Sequence, residues 1–169
     1  ASPKAAAEGA KESSKPAAKK KESEPDFTAI FAVLSTPIAE RTPDQINVVQ
    51  LHMKSFPMFD AMDSESRAAI VGRAKLCEEE EGDWLWEQGA SPAVDRRDPE
   101  TPHFYVMLTA TVALMDAADS SNPTLSLCRP GFCVGVEFLV DPDCPARETP
   151  VIVEVGKMMS FTKADLASD

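Results

Sequence analysis

The sequence is poor in the residues that build catalytic and metal centres. It has two histidines, one tyrosine and two tryptophans among 169 residues. His52 and His103 are isolated from each other and from any cysteine pair. The four cysteines, Cys77, Cys128, Cys133 and Cys144, contain no C-x-x-C spacing, which argues against a zinc site and leaves reduced thiols as the expectation. No Gly-rich phosphate loop and no recognisable Ser or Cys nucleophile motif is present, so no enzymatic activity is expected. No apolar run approaches the ~18 residues a membrane span needs, and no signal-peptide pattern opens the chain. Positive charge is scarce too: 17 Lys and Arg stand against 28 Asp and Glu, giving a net charge of -11. Duplex nucleic acid, which selects clustered Lys and Arg, is therefore excluded as an expected partner.

Residues 1–25 lack large apolar side chains. They are Ala, Lys, Ser, Glu and Pro, a composition that buries too little to offset ordering entropy and is read as a disordered linker. The chain opens without Met, and it is expected to be part of a longer polypeptide. The remaining length suffices for one domain with its own core.

Residues 26–40 form a short flanking segment. Phe27, Ile30, Phe31 and Leu34 follow the i, i+3, i+4, i+7 spacing of one helix face, and Pro37 ends the helix. This face is expected to meet a protein partner or to pack on the domain. Thr42 and Pro43 then supply an N-cap and a first helical residue. Ile46, Val49, Met53 and Phe56 continue an apolar stripe. A second helix is expected from Asp63 or Ser64 to Arg73, so that residues 42–73 read as lead-in helices.

From residue 74 the pattern becomes strand-like. Residues 83–87 alternate, placing Trp84 and Trp86 on one face and Leu85 on the other. Residues 104–114 and 125–128 are apolar and β-rich, and residues 149–155 and 157–162 flank Gly156. Short strands divided by turn signals predict an all-β roll over 74–162. Residues 163–169 start a trailing helix. Trp84, Leu108, Val112, Leu139 and Ile152 are the predicted core positions. Residues 90–101 and 116–123 read as polar surface loops, and the acidic run Glu78 to Glu81 as a solvated strand end.

The order of small landmarks is informative. Glu81-Gly82-Asp83-Trp84-Leu85-Trp86-Glu87-Gln88-Gly89 is followed by His103-Phe104-Tyr105-Val106-Met107-Leu108. Next come Arg129-Pro130-Gly131-Phe132-Cys133-Val134-Gly135 and Pro145-Ala146-Arg147. In this order the set resembles the cyclic-nucleotide-binding domain family, the β-roll that senses cAMP or cGMP in protein kinase A regulatory subunits. The resemblance covers residues 41–169. It implies a mainly β jelly-roll with flanking helices and a ligand site concentrated in one short cassette.

That cassette departs from the family's pattern, roughly Phe-Gly-Glu-x-Ala-Leu, a spacer, then Pro-Arg-Ala. The resemblance assigns the ligand contacts to Gly135, Val136, Glu137, Leu139, Arg147, Glu148 and Thr149. Val136 stands where the family has a ribose-binding Glu. Glu137 is one residue late, a rotation of about 100° on a helix. Phe138 replaces a small Ala. Arg147 is the implied phosphate clamp, beside Glu148 and after a lengthened spacer carrying Asp141 and Asp143. Ala110 stands near a position where the family has Gly. The implied function is a non-enzymatic structural or interaction module with weakened or lost nucleotide binding and no required cofactor. The alternative is a working cAMP or cGMP sensor. The Arg41-Thr42-Pro43 lead-in is similar to that of ciliary and flagellar relatives, which implies a cytoplasmic, ciliary or cytoskeletal setting with protein partners.

Overall fold

A computed structural model describes residues 26–90, 101–116 and 124–166. The linker expected over 1–25, most of the loops expected over 90–101 and 116–123, and the last three residues of the trailing helix lie outside the described residues.

Local chemistry fixes the helices first. Asp26 caps α1 (Phe27–Leu34) by accepting hydrogen bonds from the amides of Thr28 and Ala29. Thr42 and Gln45 form a reciprocal capping box at α2 (Pro43–Met53), with proline in the first turn, so the helix's orphan amides are satisfied where the sequence places them. The single turn α3 (Pro57–Asp60) leads to α4 (Ser64–Arg73), capped by Asp63. One side chain ties these helices together. The Arg41 guanidinium donates to the carbonyls of Leu34 at 2.9 Å, Val71 at 3.0 Å and Ala74 at 2.8 Å. It thereby closes the C-terminal ends of α1 and α4, whose last carbonyls have no helical partner.

Among the described residues seven strands follow: β1 (Lys75–Glu79), β2 (His103–Met107), β3 (Thr111–Met115), β4 (Thr124–Cys128), β5 (Cys133–Val134), β6 (Thr149–Glu154) and β7 (Gly156–Thr162), with α5 (Glu137–Val140) after β5 and α6 (Lys163–Leu166) after β7. They form two antiparallel sheets, ordered β1-β7-β2-β5 and β4-β3-β6. The chain is thus a two-sheet roll with helices packed on the four-stranded sheet. Alternation explains the layers. Phe104, Val106, Leu108, Met159 and Phe161 face α1, α2, α3 and α4 in one core. Tyr105, Met107 and Met158 point the other way, to a second core shared with Val112 and Ile152 of the smaller sheet. Strands β2 and β7 are buried on both faces, so they read in the sequence as apolar runs without a clean period.

Two expectations are corrected, and one that was left open is decided. Residues 83–87 are not a regular strand: Trp84 makes an isolated bridge to Val151, the chain bends at Leu85 and Trp86, and both of those side chains are buried while Trp84 is exposed. Trp84 is therefore not core. The open apolar face of residues 26–34 is covered by the domain itself. Ile30 and Leu34 are buried in the helix-side core, and Phe27 and Phe31 pack against it. Leu139 is only partly buried, whereas its neighbour Phe138 enters the core between the sheets. Leu108, Val112 and Ile152 are buried as predicted.

Gly156 carries the crossing between the sheets. A Cβ there would lie 2.4 Å from the Ala110 amide nitrogen, so only hydrogen fits. The close approach that the family pattern places near residue 110 is supplied instead from the facing strand. Ala110 accordingly keeps negative φ, since no described non-glycine residue has a positive one.

The candidate nucleotide cassette

The cassette runs from β5 through α5 to the start of β6. Gly135 opens it with φ +80, a left-handed turn that glycine adopts without strain. Space is as tight as the backbone. A Cβ on Gly135 would meet the His103 carbonyl oxygen and Trp86 Cη2, each at 2.9 Å, and Phe138 Cδ2 at 3.2 Å. The turn is therefore packed on its inner side by two aromatic side chains.

Those aromatics fill the space beneath the cassette. The Trp86 indole meets the Phe138 ring edge-on at a centroid separation of 5.1 Å and an interplanar angle of 80°. It stacks on Tyr105 at 6.2 Å, and Tyr105 in turn stacks on His103 at 6.2 Å. Trp86 and Phe138 are each 2% exposed. Edge-to-face and offset contacts at such separations are favourable beyond their burial by ~0.5–1.5 kcal/mol. The indole Nε1 is buried and has no hydrogen-bond partner among the described residues.

Val136 is the N-cap of α5, makes no side-chain cap and is exposed. Glu137 occupies the first turn of α5, placing a carboxylate at the helix end that would otherwise attract an anion. Arg147 is exposed, while Ala146 is 3% exposed and belongs to the inter-sheet core with Trp86 and Phe138. The sequence thus carries Ala-Arg where the family has Arg-Ala, and the inward position belongs to the alanine. Ala146 is pinned there by the backbone: its amide donates to the Ala90 carbonyl at 2.9 Å, and its carbonyl accepts from the Gly89 amide at 2.8 Å. Thr149 Oγ1 accepts from the Gln88 amide at 2.9 Å, so its hydroxyl holds the neighbouring loop.

Electrostatics around the cassette are negative. Burial, reinforced by the Glu137 charge, pushes the Glu148 carboxyl above its usual range, against the pull of Arg147. Burial also raises the Cys133 thiol, with Glu137 adding to the effect. Cys128 is raised by burial, then by Cys133 and Glu148. None of the four cysteines forms a disulfide.

Sequence reasoning missed Trp86, which it placed beside Trp84 on a strand face, and Ala146, which it passed over for Arg147. The signal for the second was present in the order Pro145-Ala146-Arg147. The signal for the first was not, because the bend at Leu85 and Trp86 breaks the alternation.

No family model matches the sequence, and no curated protein matches it. Solved structures do match the fold. The regulatory domain of Toxoplasma gondii protein kinase A in complex with cAMP aligns with TM-score 0.55 and 14% identity, over 68% of this chain and 41% of that one. The regulatory subunit of a cAMP-independent protein kinase A from Trypanosoma cruzi, bound to guanosine, aligns with TM-score 0.58 and 11% identity, over 72% and 41%. A cyclic-nucleotide-binding-like protein from Brucella abortus aligns with TM-score 0.51 and 16% identity, over 70% and 92%. The chain spans about two fifths of the two kinase structures and most of the Brucella protein. Its fold is that of the cyclic-nucleotide-binding β-roll, two antiparallel sheets with flanking helices rather than a closed barrel. Among the described residues no helix is long and apolar enough to cross a membrane.

Proposed function

We propose that this β-roll is a non-enzymatic structural or interaction module whose nucleotide site is closed by its own side chains. The observation that carries the reading is the packing of Trp86 and Phe138 against Gly135, which occupies the volume beside the cassette turn. The inward Ala146 and the carboxylates of Glu137 and Glu148 support it from the side of charge. Gly135, Val136, Glu137, Leu139, Arg147, Glu148 and Thr149 then serve as cassette positions in a structural sense, holding α5 against the roll. Protein partners in a larger assembly supply the function. The Arg41-Thr42-Pro43 lead-in supports a cytoplasmic, ciliary or cytoskeletal setting.

A thermal-shift series with cAMP, cGMP and guanosine at millimolar concentration tests this reading. A ligand present at 100 times its dissociation constant stabilises the folded state by about 2.7 kcal/mol, enough to move Tm by several degrees. The module reading predicts no shift with any of the three, and a shift with cAMP or cGMP overturns it. Guanosine tests a second reading. The buried Trp86 Nε1 lacks an acceptor among the described residues, and the Trypanosoma cruzi protein holds a nucleoside without a cyclic phosphate. A shift with guanosine alone would establish an adapted nucleoside pocket.

A further inference from the structure

Arg67, in the first turn of α4, is a cation 7% exposed and held by neutral acceptors. Its Nε donates to Gln50 Oε1 of α2 at 3.1 Å. Its Nη1 donates to the Phe59 carbonyl at 3.1 Å and to the Met62 carbonyl. No carboxylate bonds it among the described residues. A guanidinium carries N–H donors on all three nitrogens in one planar fork. Those on Nε and Nη1 are used, and Nη2 makes no hydrogen bond among the described residues. Nη2 is not one of the sealed polar atoms of the fold, so the exposed part of Arg67 includes it. A buried charge without an opposite charge is costly, and an anion at Nη2 would relieve that cost by a charge-assisted hydrogen bond.

The surface beside this opening follows from the turn of α2. Gln50 is buried against Arg67, and its Nε2 donates to Asn47 Oδ1 at 2.9 Å. At 100° per residue, Lys54 stands about 40° round the helix from Gln50, Asn47 about 60° and Leu51 about 100°. All three are exposed, Leu51 at 58%. Lys54 bonds no carboxylate among the described residues. Going outward from the buried guanidinium, the seam thus presents a second cation and then an exposed leucine. The neighbouring acids are otherwise placed. Asp63 accepts from the Ser66 amide and hydroxyl, each at 2.8 Å. Asp44 lies in the first turn of α2, about 15 Å along the helix from Lys54. Asp60 is exposed at the end of α3 and bonds neither cation.

We propose that the seam between α2 and α4 binds a carboxylate of a partner segment. The carboxylate sits on Arg67 Nη2 and Lys54, and an apolar side chain of the same segment covers Leu51. The proposal names the partner chemistry of the interaction module above and rests on that reading. Three bonds already fix the Arg67 fork, so binding spends little of its side-chain entropy. The net charge of -11 opposes an acidic segment only at long range. At physiological ionic strength that field is screened within about 8 Å, and the contact is decided by the two local cations. The glutamates of residues 1–25 have no large apolar side chain beside them, so that segment offers charge without an anchor for Leu51.

The test uses the full chain and three fluorescein-labelled peptides of one helical pattern: Leu/Glu, Leu/Gln and Leu/Lys. Fluorescence anisotropy should show saturable binding of Leu/Glu only. Lys54→Glu should weaken it at least tenfold, and Leu51→Ser should weaken it severalfold. The Arg67 Nε–H signal in nitrogen-15 NMR, assigned by its loss in Arg67→Lys, should shift as Leu/Glu saturates. Far-UV circular dichroism and Tm of each variant separate loss of binding from loss of fold. Lys54 and Leu51 are exposed, so their variants and the Arg67 signal keep the test usable if Arg67→Lys fails to fold. No binding of Leu/Glu, equal binding of Leu/Gln or Leu/Lys, binding unchanged by Lys54→Glu, or an Arg67 signal that stays in place at saturation overturns the proposal. So does binding that emerges only when residues 1–25 are deleted, which would make their glutamates the occupant. The nucleotide series above is read on the same protein, so failure of the carboxylate seam and failure of the closed-site reading are distinguishable.

Discussion

Trp86 meets Phe138 edge-on at 5.1 Å directly beneath the Gly135 turn. One residue comes from the bend after Trp84 and the other from α5, so that bend and the cassette are joined by a ring contact. The contact holds α5 against the roll.

Removing one ring should therefore unlock the cassette. Phe138→Ala is expected to cost about 3–5 kcal/mol, the usual range for a buried Phe, read as a large fall in Tm or in the denaturant midpoint. Amide exchange should accelerate most in α5 and in the residues facing Trp86. A variant as stable as the parent would show that Phe138 is not a core side chain.

Gly156→Ala should also be costly, although it adds a single methyl. The new Cβ would fall 2.4 Å from the Ala110 nitrogen, and backbone has no flexible end to swing aside. Overpacking of this kind costs about 1–3 kcal/mol. Gly89→Ala is the comparison for the left-handed glycines: a Cβ at Gly89 meets nothing within 4 Å, so its cost comes from φ +82 and not from contact. If Gly156→Ala melts with the parent, the crossing of the sheets has been misplaced.

Ile30→Ala tests the packing of the leading helix on the domain. Ile30 is fully buried in the helix-side core, so the substitution should lower stability by about 2–5 kcal/mol. An unchanged Tm would return α1 to the status of a free docking face.

Much of this architecture was legible in the sequence because local chemistry dictates it. Thr42, Pro43 and Gln45 announce the start of α2, and Asp63 announces α4. The run from Phe104 to Leu114 was legible as β structure but not as two strands, since β2 is buried on both faces and shows no alternation to break. Trp84 and Trp86 were assigned to one face by a period that the bend at Leu85 interrupts, so one of them was misplaced. Gly156 was legible as the junction of two strands, but its need for a hydrogen was not, because that arises from Ala110, across the sheets. In the cassette, the altered residues Val136 and Phe138 were readable one by one. Trp86 as the group that fills the space was not, because it arrives from a distant segment.

Glu148 gives the cassette a pH signature. Its carboxyl is raised in the folded state by burial first and by Glu137 second. Between the unfolded value, ~4.3, and the raised folded value, the native state binds the extra proton. Stability from this group is therefore full at low pH and is lost as pH rises through the folded value. Glu148→Gln should raise Tm at pH 7 and change it little near pH 4. The gain should stay below about 1 kcal/mol, because the group is partly solvated and screened. A variant that lowers Tm at pH 7 would mean that the carboxylate is a stabilising partner.

The central claim is that Trp86, Phe138 and Ala146 leave no room and no inward cation for a cyclic nucleotide. Isothermal titration of cAMP and of cGMP into the full chain tests it most directly. The account predicts no saturable heat with either nucleotide at sub-millimolar concentrations. A one-to-one isotherm with a micromolar or tighter dissociation constant for either would contradict it.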